Sequence, residues 1–118
     1  PQRTLRADSE AAREVHDLLV NVADEGTARS IGASGVRSAV AGKTGTTNES
    51  RGVWFIGYTP DLLLGVRLSY GDRRSLGRDA ARLAVPLWSS IVRRAESGYP
   101  VMPFVLAGAR NPERRRAE

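Results

Sequence analysis

The sequence contains no cysteine, one histidine (His16) and one lysine (Lys43) among its 118 residues. Without cysteine there is no disulfide scaffold, no catalytic thiol and no cysteine-ligated metal site. A single histidine also excludes a metal site built from several histidines. We therefore expect neither a metal nor another cofactor.

Long hydrophobic runs are also lacking, so the chain has no signal peptide or membrane span of its own. Its first residue is Pro1 and not methionine. We expect it to be a piece of a longer protein, which would carry any targeting or anchoring segment. The length allows one domain.

Aromatic residues make up only 6% of the chain and are not interleaved with the basic residues, which argues against single-strand nucleic-acid binding. The net charge of +5 is concentrated near the end of the chain, at Arg110, Arg114, Arg115 and Arg116. A solvated terminal charge run is the favoured interpretation. The alternative, a basic tail that binds an anionic polymer such as nucleic acid, would show strong salt dependence confined to residues 110–118.

The periodicity of apolar residues predicts an α+β fold. Two helices are expected at residues 9–25 and 80–96, and three strands at residues 36–47, 53–58 and 62–70. Short links between the strands imply a three-stranded antiparallel meander, flanked by an N-terminal and a C-terminal helix. We expect a domain portion over residues 1–97 and a flexible Pro/Arg-rich tail over residues 98–118.

Helical spacing also predicts which side chains are buried. In the first helix these are Ala11, Val15, Leu18, Leu19 and Val22, with His16 at the surface or at the boundary of this stripe. In the second helix they are Leu83 or Ala84, Trp88, Ile91 and Ala95. Pro86 implies either a late start or a kink in that helix.

Lys43 is the most informative residue, because it is the only lysine beside seventeen arginines. Lysine offers a compact ammonium on a flexible stem, where arginine offers a planar fork. The lysine lies in the run A-V-A-G-K-T-G-T-T-N, where Thr44 and Thr46 add hydroxyls and Gly45 lets a ligand approach the backbone. Such a segment suits a carboxylate or a phosphate.

A phosphate-binding P-loop does not fit this run. That motif needs a glycine five positions before Gly42, where this sequence has Arg37. The segment after Thr44 also leads into a turn and a strand rather than a helix. A Thr/Gly-rich edge strand with a surface lysine is the plain structural interpretation of residues 43–45.

The longer run A-V-A-G-K-T-G-T-T-N-E-S-R-G-V-W-F-I-G-Y-T-P-D-L-L-L-G-V-R-L-S-Y-G-D resembles the C-terminal part of penicillin-binding protein transpeptidase domains. The bifunctional glycosyltransferase–transpeptidase class is the best match. The resemblance continues through R-S-L-G and L-A-V-P-L-W-S-S-I-V and includes the helix E-A-A-R-E-V-H-D-L-L-V-N-V. It covers about residues 8–95, and it implies a partial serine β-lactamase/penicillin-binding-protein transpeptidase fold.

Three motifs build the site in that family: S-x-x-K, S-x-N and K-T-G. The resemblance implies that Lys43 assists proton transfer and that Thr44, Gly45 and Thr46 bind the carboxylate of a D-Ala-D-Ala stem peptide or a β-lactam. The N–H of Thr46 would be an oxyanion donor. S-x-x-K and S-x-N are absent from this sequence, so the chain alone is predicted to be inactive.

The family further implies a parent enzyme on the periplasmic or extracytoplasmic side of the bacterial inner membrane, with the rest of its transpeptidase domain as a partner. Two alternatives to the transpeptidase stay open besides the basic tail. One is a fragment of a related β-lactamase or DD-carboxypeptidase, which shares K-T-G. The other is a non-catalytic module that binds peptides through an exposed edge strand.

Overall fold

The computed structural model describes residues 9–105. Its main elements in chain order are helix α1 (Ser9–Asp24), strand β1 (Ala41–Thr46), strand β2 (Gly52–Tyr58), strand β3 (Leu63–Ser69) and helix α2 (Ala80–Ala95). The predicted number, type and order of helices and strands are confirmed.

The three strands form an antiparallel sheet in the order β1-β2-β3. Thr44 pairs with Phe55, and Phe55 pairs with Val66 on its other side. The predicted fold class, a meander between two helices, is therefore confirmed. The end of β1 and the start of β2 are joined by a short turn in which Glu49 and Ser50 have positive φ angles of 60° and 51°.

Strand β1 is shorter than the predicted span of residues 36–47. The backbone N–H groups of Arg37 and Ser38 are hydrogen-bonded to the side chain of Glu96. Because these donors are used by a carboxylate, residues 37 and 38 do not contribute to a strand ladder. Periodicity in the sequence cannot indicate this contact, because its partners lie far apart in the chain.

The core lies between α2 and one face of the sheet. The rings of Phe55 and Trp88 meet edge to face, with centroids 5.1 Å apart and an interplanar angle of 87°. The indole N–H of Trp88 donates to the carbonyl of Leu64 over 2.9 Å, so its one polar atom is satisfied. Both aromatic side chains are fully buried.

The buried stripe of α2 differs from the prediction. Ile91 is 40% exposed and Ala95 is exposed, whereas Val85, Ser89 and Val92 are buried beside Trp88. The helix faces the sheet at positions i, i+1, i+4, i+5 and i+8, a stripe rotated from the one expected. Helix α2 does not start late, since it begins at Ala80 and Pro86 lies within it.

The buried face of α1 was predicted only in part: Leu19 and Val22 are half-buried as expected, but Ala11 is exposed. Val15 and Leu18 are 54% and 66% exposed, whereas His16 is buried. The imidazole Nδ1 of His16 forms a 2.7 Å hydrogen bond with the hydroxyl of Tyr58, a partner 42 residues away. A polar residue that gains such a partner can be buried.

The chain requires a glycine just after α1. The helix ends at Asp24, and a Cβ on Gly26 would lie 2.8 Å from the Cα of Val22. Within residues 9–105, neither helix has the length and apolarity required to cross a membrane.

Candidate functional site

Strand β1 carries the site residues predicted from sequence, and its alternation divides them between two faces. Lys43 pairs with Ile56 and Gly45 pairs with Trp54. These residues share the exposed face of the sheet, opposite α2. Thr44 and Thr46 point toward the α2 side, as the alternation of a strand predicts.

The ammonium of Lys43 lies close to the edge of the sheet. The residue is exposed, and its Nζ donates to the carbonyl of Thr44 over 3.0 Å. This contact is with the backbone of the adjacent residue, so the charge remains accessible to a ligand or to a neighbouring group. The geometry keeps a cation beside the two threonines.

The backbone of β1 has one edge bound to β2 and one edge directed outward. The N–H of Thr47 donates to the carbonyl of Gly52 over 2.9 Å, on the β2 side. In an antiparallel ladder, successive N–H groups of a strand alternate between its two sides. The N–H of Thr46 therefore points away from β2, toward the outer edge, where it can donate to an extended peptide or to a developing oxyanion.

The hydroxyl of Thr46 has a partner that the sequence did not reveal. It accepts a hydrogen bond of 3.1 Å from the backbone N–H of Ala80, the first residue of α2. That N–H is one of the donors that a helix leaves unpaired at its start. The bond from Ala80 occupies one of the two acceptor positions of the hydroxyl, so its proton can still be donated to a carboxylate.

Thr44 is also held by a side chain. Its hydroxyl lies 2.8 Å from the hydroxyl of Thr27, in the segment that follows α1. A hydroxyl has one donor and two acceptor positions, so this bond leaves further capacity for a ligand. Neither Thr27 nor Ala80 has a local sequence signal, since both reach β1 through the folded chain.

The start of α2 affects the electrostatics near Thr46. The positive end of a helix dipole favours an anion within its first turn. Asp79 already caps this helix by accepting from the N–H of Arg82 over 3.1 Å, and its negative charge offsets part of that effect. Lys43 therefore remains the principal positive charge on β1.

The two glycines that flank Lys43 and Thr44 are needed for different reasons. A Cβ on Gly42 would lie 2.6 Å from Cζ of Phe55 and 2.9 Å from the Cα of Gly57, so close packing requires a glycine there. A Cβ on Gly45 would meet only Cβ of Trp54 at 3.6 Å, an ordinary contact. The described part of the chain therefore accepts a side chain at residue 45.

The turn after the site strand is closed by Thr47. Its hydroxyl accepts from the N–H of Gly52 over 2.8 Å and donates to the carbonyl of Gly52 over 3.1 Å. The carbonyl of Ser50 accepts from the N–H of Leu76 over 2.8 Å, which ties the turn to the loop before α2. The end of β1 is thus fixed by three separate contacts, counting the Thr46–Ala80 bond.

Comparison with known proteins places this geometry in context. The family model of the penicillin binding protein transpeptidase domain matches residues 1–86. Penicillin-binding protein 1A of Neisseria lactamica is 38% identical over 95 residues, which is 79% of this chain and 12% of that protein. Penicillin-binding protein 1A of Aquifex aeolicus is 39% identical over 92 residues, which is 76% of this chain and 12% of that protein.

A solved structure has the same fold. The crystal structure of Penicillin-Binding Protein 1A from Haemophilus influenzae matches with a TM-score of 0.69 and 28% sequence identity. The match covers 79% of this chain and 15% of that chain. The chain thus spans about 12% of the length of the two penicillin-binding proteins from Neisseria and Aquifex.

Proposed function

Because this chain belongs to the penicillin-binding protein transpeptidase domain family, we propose that it supplies the carboxylate-binding strand of a serine DD-transpeptidase. The observation that carries the proposal is the geometry of β1. One strand presents an accessible ammonium on Lys43, two hydroxyls on Thr44 and Thr46, and an outward N–H on Thr46.

The proposed reaction begins with a serine that this chain lacks. Its Oγ attacks the carbonyl between two D-alanines of a peptidoglycan stem peptide, loses its proton to a base, and forms an ester as the terminal D-alanine leaves. An amine of a second stem peptide then takes the acyl group and releases the serine. A β-lactam would acylate the same serine through opening of its ring.

Each residue of β1 has a role in this proposal. Lys43 lies beside the proton-transfer path and supplies positive charge, while the hydroxyls of Thr44 and Thr46 bind the terminal carboxylate. Gly45 leaves room for the substrate backbone. The N–H of Thr46 is one of the two donors to the tetrahedral oxyanion, a role that suits a fixed backbone group.

The serine and its S-x-x-K and S-x-N motifs would face the exposed side of the sheet, because Lys43 points there. The parent protein would act outside the bacterial inner membrane, where the stem peptides are. We propose no nucleic-acid partner and no cofactor. The 118-residue chain alone would take up no penicillin, which intact-mass spectrometry can check.

Substitution of Lys43 by arginine in the full-length protein tests the proposal. Lys43→Arg keeps the charge but replaces a compact, readily deprotonated group by a planar fork that stays protonated. We expect the second-order rate of acylation by a fluorescent penicillin to fall by about 100-fold, within the range of a lost acid–base group. Arg82→Lys, an exchange at an exposed position of α2, should leave the rate unchanged. A near-normal rate for Lys43→Arg would contradict the role of this lysine.

A further inference from the structure

Helix α2 is bonded to both ends of the segment that carries the site. At the start of the helix, the N–H of Ala80 donates to Thr46, the last residue of β1. At the other end, Glu96 follows α2 directly and contacts residues 37 and 38, shortly before β1 begins. The site strand is therefore held along one rigid helix.

Glu96 makes a dense set of contacts at this second attachment. Its carboxylate accepts from the backbone N–H of Arg37, from the N–H of Ser38 over 3.1 Å and from the hydroxyl of Ser38 over 2.6 Å. The guanidinium of Arg37 lies 3.9 Å from the carboxylate and donates to the carbonyl of Glu96 over 2.8 Å. We refer to these contacts of Glu96 with Arg37 and Ser38 as the Glu96 clamp.

The clamp keeps Glu96 ionised although the side chain is only 9% exposed. Burial by itself would raise the pKa of this carboxyl group. The hydrogen bonds from Ser38 and from the amides of Arg37 and Ser38, together with the Arg37 charge, outweigh burial, so the pKa of Glu96 lies below its ordinary value. A charged acceptor with several donors is a strong and directional attachment.

Residues 40–42, the part of the segment next to Lys43, are closely packed, whereas Ala39 is exposed. Val40 is 6% exposed, Ala41 is fully buried, and Gly42 lies against Phe55 and Gly57 with no room for a Cβ. Closely packed interiors transmit small shifts rather than damping them. A change in position at Ser38 therefore passes along residues 40–42 to Lys43 and to the backbone of Thr46.

We propose that Glu96 is a positioning residue for the transpeptidase site, fixing through Arg37 and Ser38 where β1 places Lys43 and the N–H of Thr46. This inference rests on the proposed function of β1 and extends it to a residue outside the strand. Glu96 does not touch substrate in this arrangement. Its effect is carried by the backbone of the segment before β1.

The test compares Glu96→Gln and Ser38→Ala with the matched control Glu14→Gln in the full-length protein. Glu14 is an exposed carboxylate on α1. Acylation by a fluorescent penicillin is followed over time, at a temperature well below unfolding. Two quantities are separated: the rate constant of acylation at saturating penicillin, and the fraction of molecules that become labelled.

We expect Glu96→Gln to lower the acylation rate constant by about 10-fold, because an amide loses the charge and has one acceptor oxygen instead of two. Ser38→Ala removes only the hydroxyl contact and should lower it by about 3-fold. The labelled fraction should stay close to that of the wild type in both variants. Glu14→Gln should match the wild type in both quantities.

A merely structural role for Glu96 would give a different result. The labelled fraction and the melting temperature would fall, while the molecules that still react would do so at the wild-type rate constant, and the inference would then be wrong. A wild-type rate constant in a fully folded Glu96→Gln variant would also overturn it. If the wild-type full-length protein takes up no penicillin, the proposed function itself fails. That result differs from a failure of the Glu96 inference alone, in which the wild type and Glu96→Gln react with the same rate constant.

Discussion

The two faces of the same three-stranded sheet are very different in character. On the α2 side, Val53 and Phe55 are fully buried, and they pack with Trp88. On the other side, Trp54, Ile56 and Leu63 are 40%, 50% and 71% exposed within the described residues. Adjacent residues of one strand therefore lie alternately in the packed core and on an exposed surface.

The open face is also the face of Lys43. Trp54 there is partly covered by Arg67, whose guanidinium carbon lies 5.6 Å from the ring centroid. Apolar surface of this kind usually marks a contact with another part of a protein. The difference between the faces shows that the chain builds its own support for the site strand, while the part of the Lys43 face around Trp54, Ile56 and Leu63 stays exposed within residues 9–105.

Neighbouring residues on opposite faces provide the strongest test of this difference. Phe55→Ala should lower the free energy of unfolding by about 3–5 kcal/mol, because a buried ring is removed and a cavity remains. Ile56→Ala should cost less than about 1 kcal/mol, as expected for a largely solvated side chain. Urea unfolding of the chain, followed by tryptophan fluorescence, measures both. Similar losses for the two variants would show that the face of Ile56 is packed, and the contrast would disappear.

A second prediction concerns Thr46, whose hydroxyl lies on the α2 side of the sheet while its N–H points to the outer edge of β1, where we propose that it donates to the oxyanion. Thr46→Val removes the proposed donor to the substrate carboxylate and leaves the N–H of Ala80 without its acceptor. We expect acylation by penicillin to lose about 1.5–3 kcal/mol of transition-state stabilisation.

Thr46→Ser is the matched control, because it keeps the hydroxyl and with it both contacts. Rates for the two variants come from the same fluorescent penicillin assay. If the valine variant reacts as fast as the serine variant, the hydroxyl does not bind the carboxylate, and only the N–H of Thr46 is left with a role.

The sequence was sufficient for the family, the fold class and the order of elements. These follow from periodicity, turn residues and the long matching run, all of which are local or contiguous. The inward faces of the helices were predicted less well. Val15 and Leu18 are exposed, whereas His16 is buried and bonded to the distant hydroxyl of Tyr58, a contact that no local pattern indicates.

The sequence indicated the residues of the candidate site but not the contacts that hold them in place. Lys43, Thr44 and Thr46 are close together in the chain and carry their own signal, and their roles remain proposals. The contacts of Thr46 with Ala80 and of Ser38 with Glu96 join residues 34 and 58 positions apart. Such pairs form only when the chain has folded, so no pattern within one segment indicates them.

The smallest effect on stability and acylation is expected for changes at the C-terminal end. The sequence predicted one flexible tail there, over residues 98–118. Within the described part of that segment, the ring of Phe104 lies 4.6 Å from that of His16 and 5.7 Å from that of Tyr58, both measured between centroids. Tyr58 belongs to the Lys43 side of the sheet, so Phe104 covers one end of the open face. Residues 106–118 lie outside the described part of the chain, and the boundary at residue 98 stays a prediction.

In the full-length protein, deleting Val105–Glu118 should therefore leave the melting temperature and the rate of acylation by penicillin nearly unchanged, since no predicted site lies there. Phe104→Ala is the paired variant. It removes edge-to-face contacts worth about 0.5–1.5 kcal/mol each, and should lower the melting temperature by a few degrees. Differential scanning calorimetry measures the melting temperature of each variant and so distinguishes the contribution of Phe104 from that of residues 105–118. A loss of several degrees on deletion would show that residues 105–118 also pack against the chain, and the open face would then be smaller than residues 9–105 indicate.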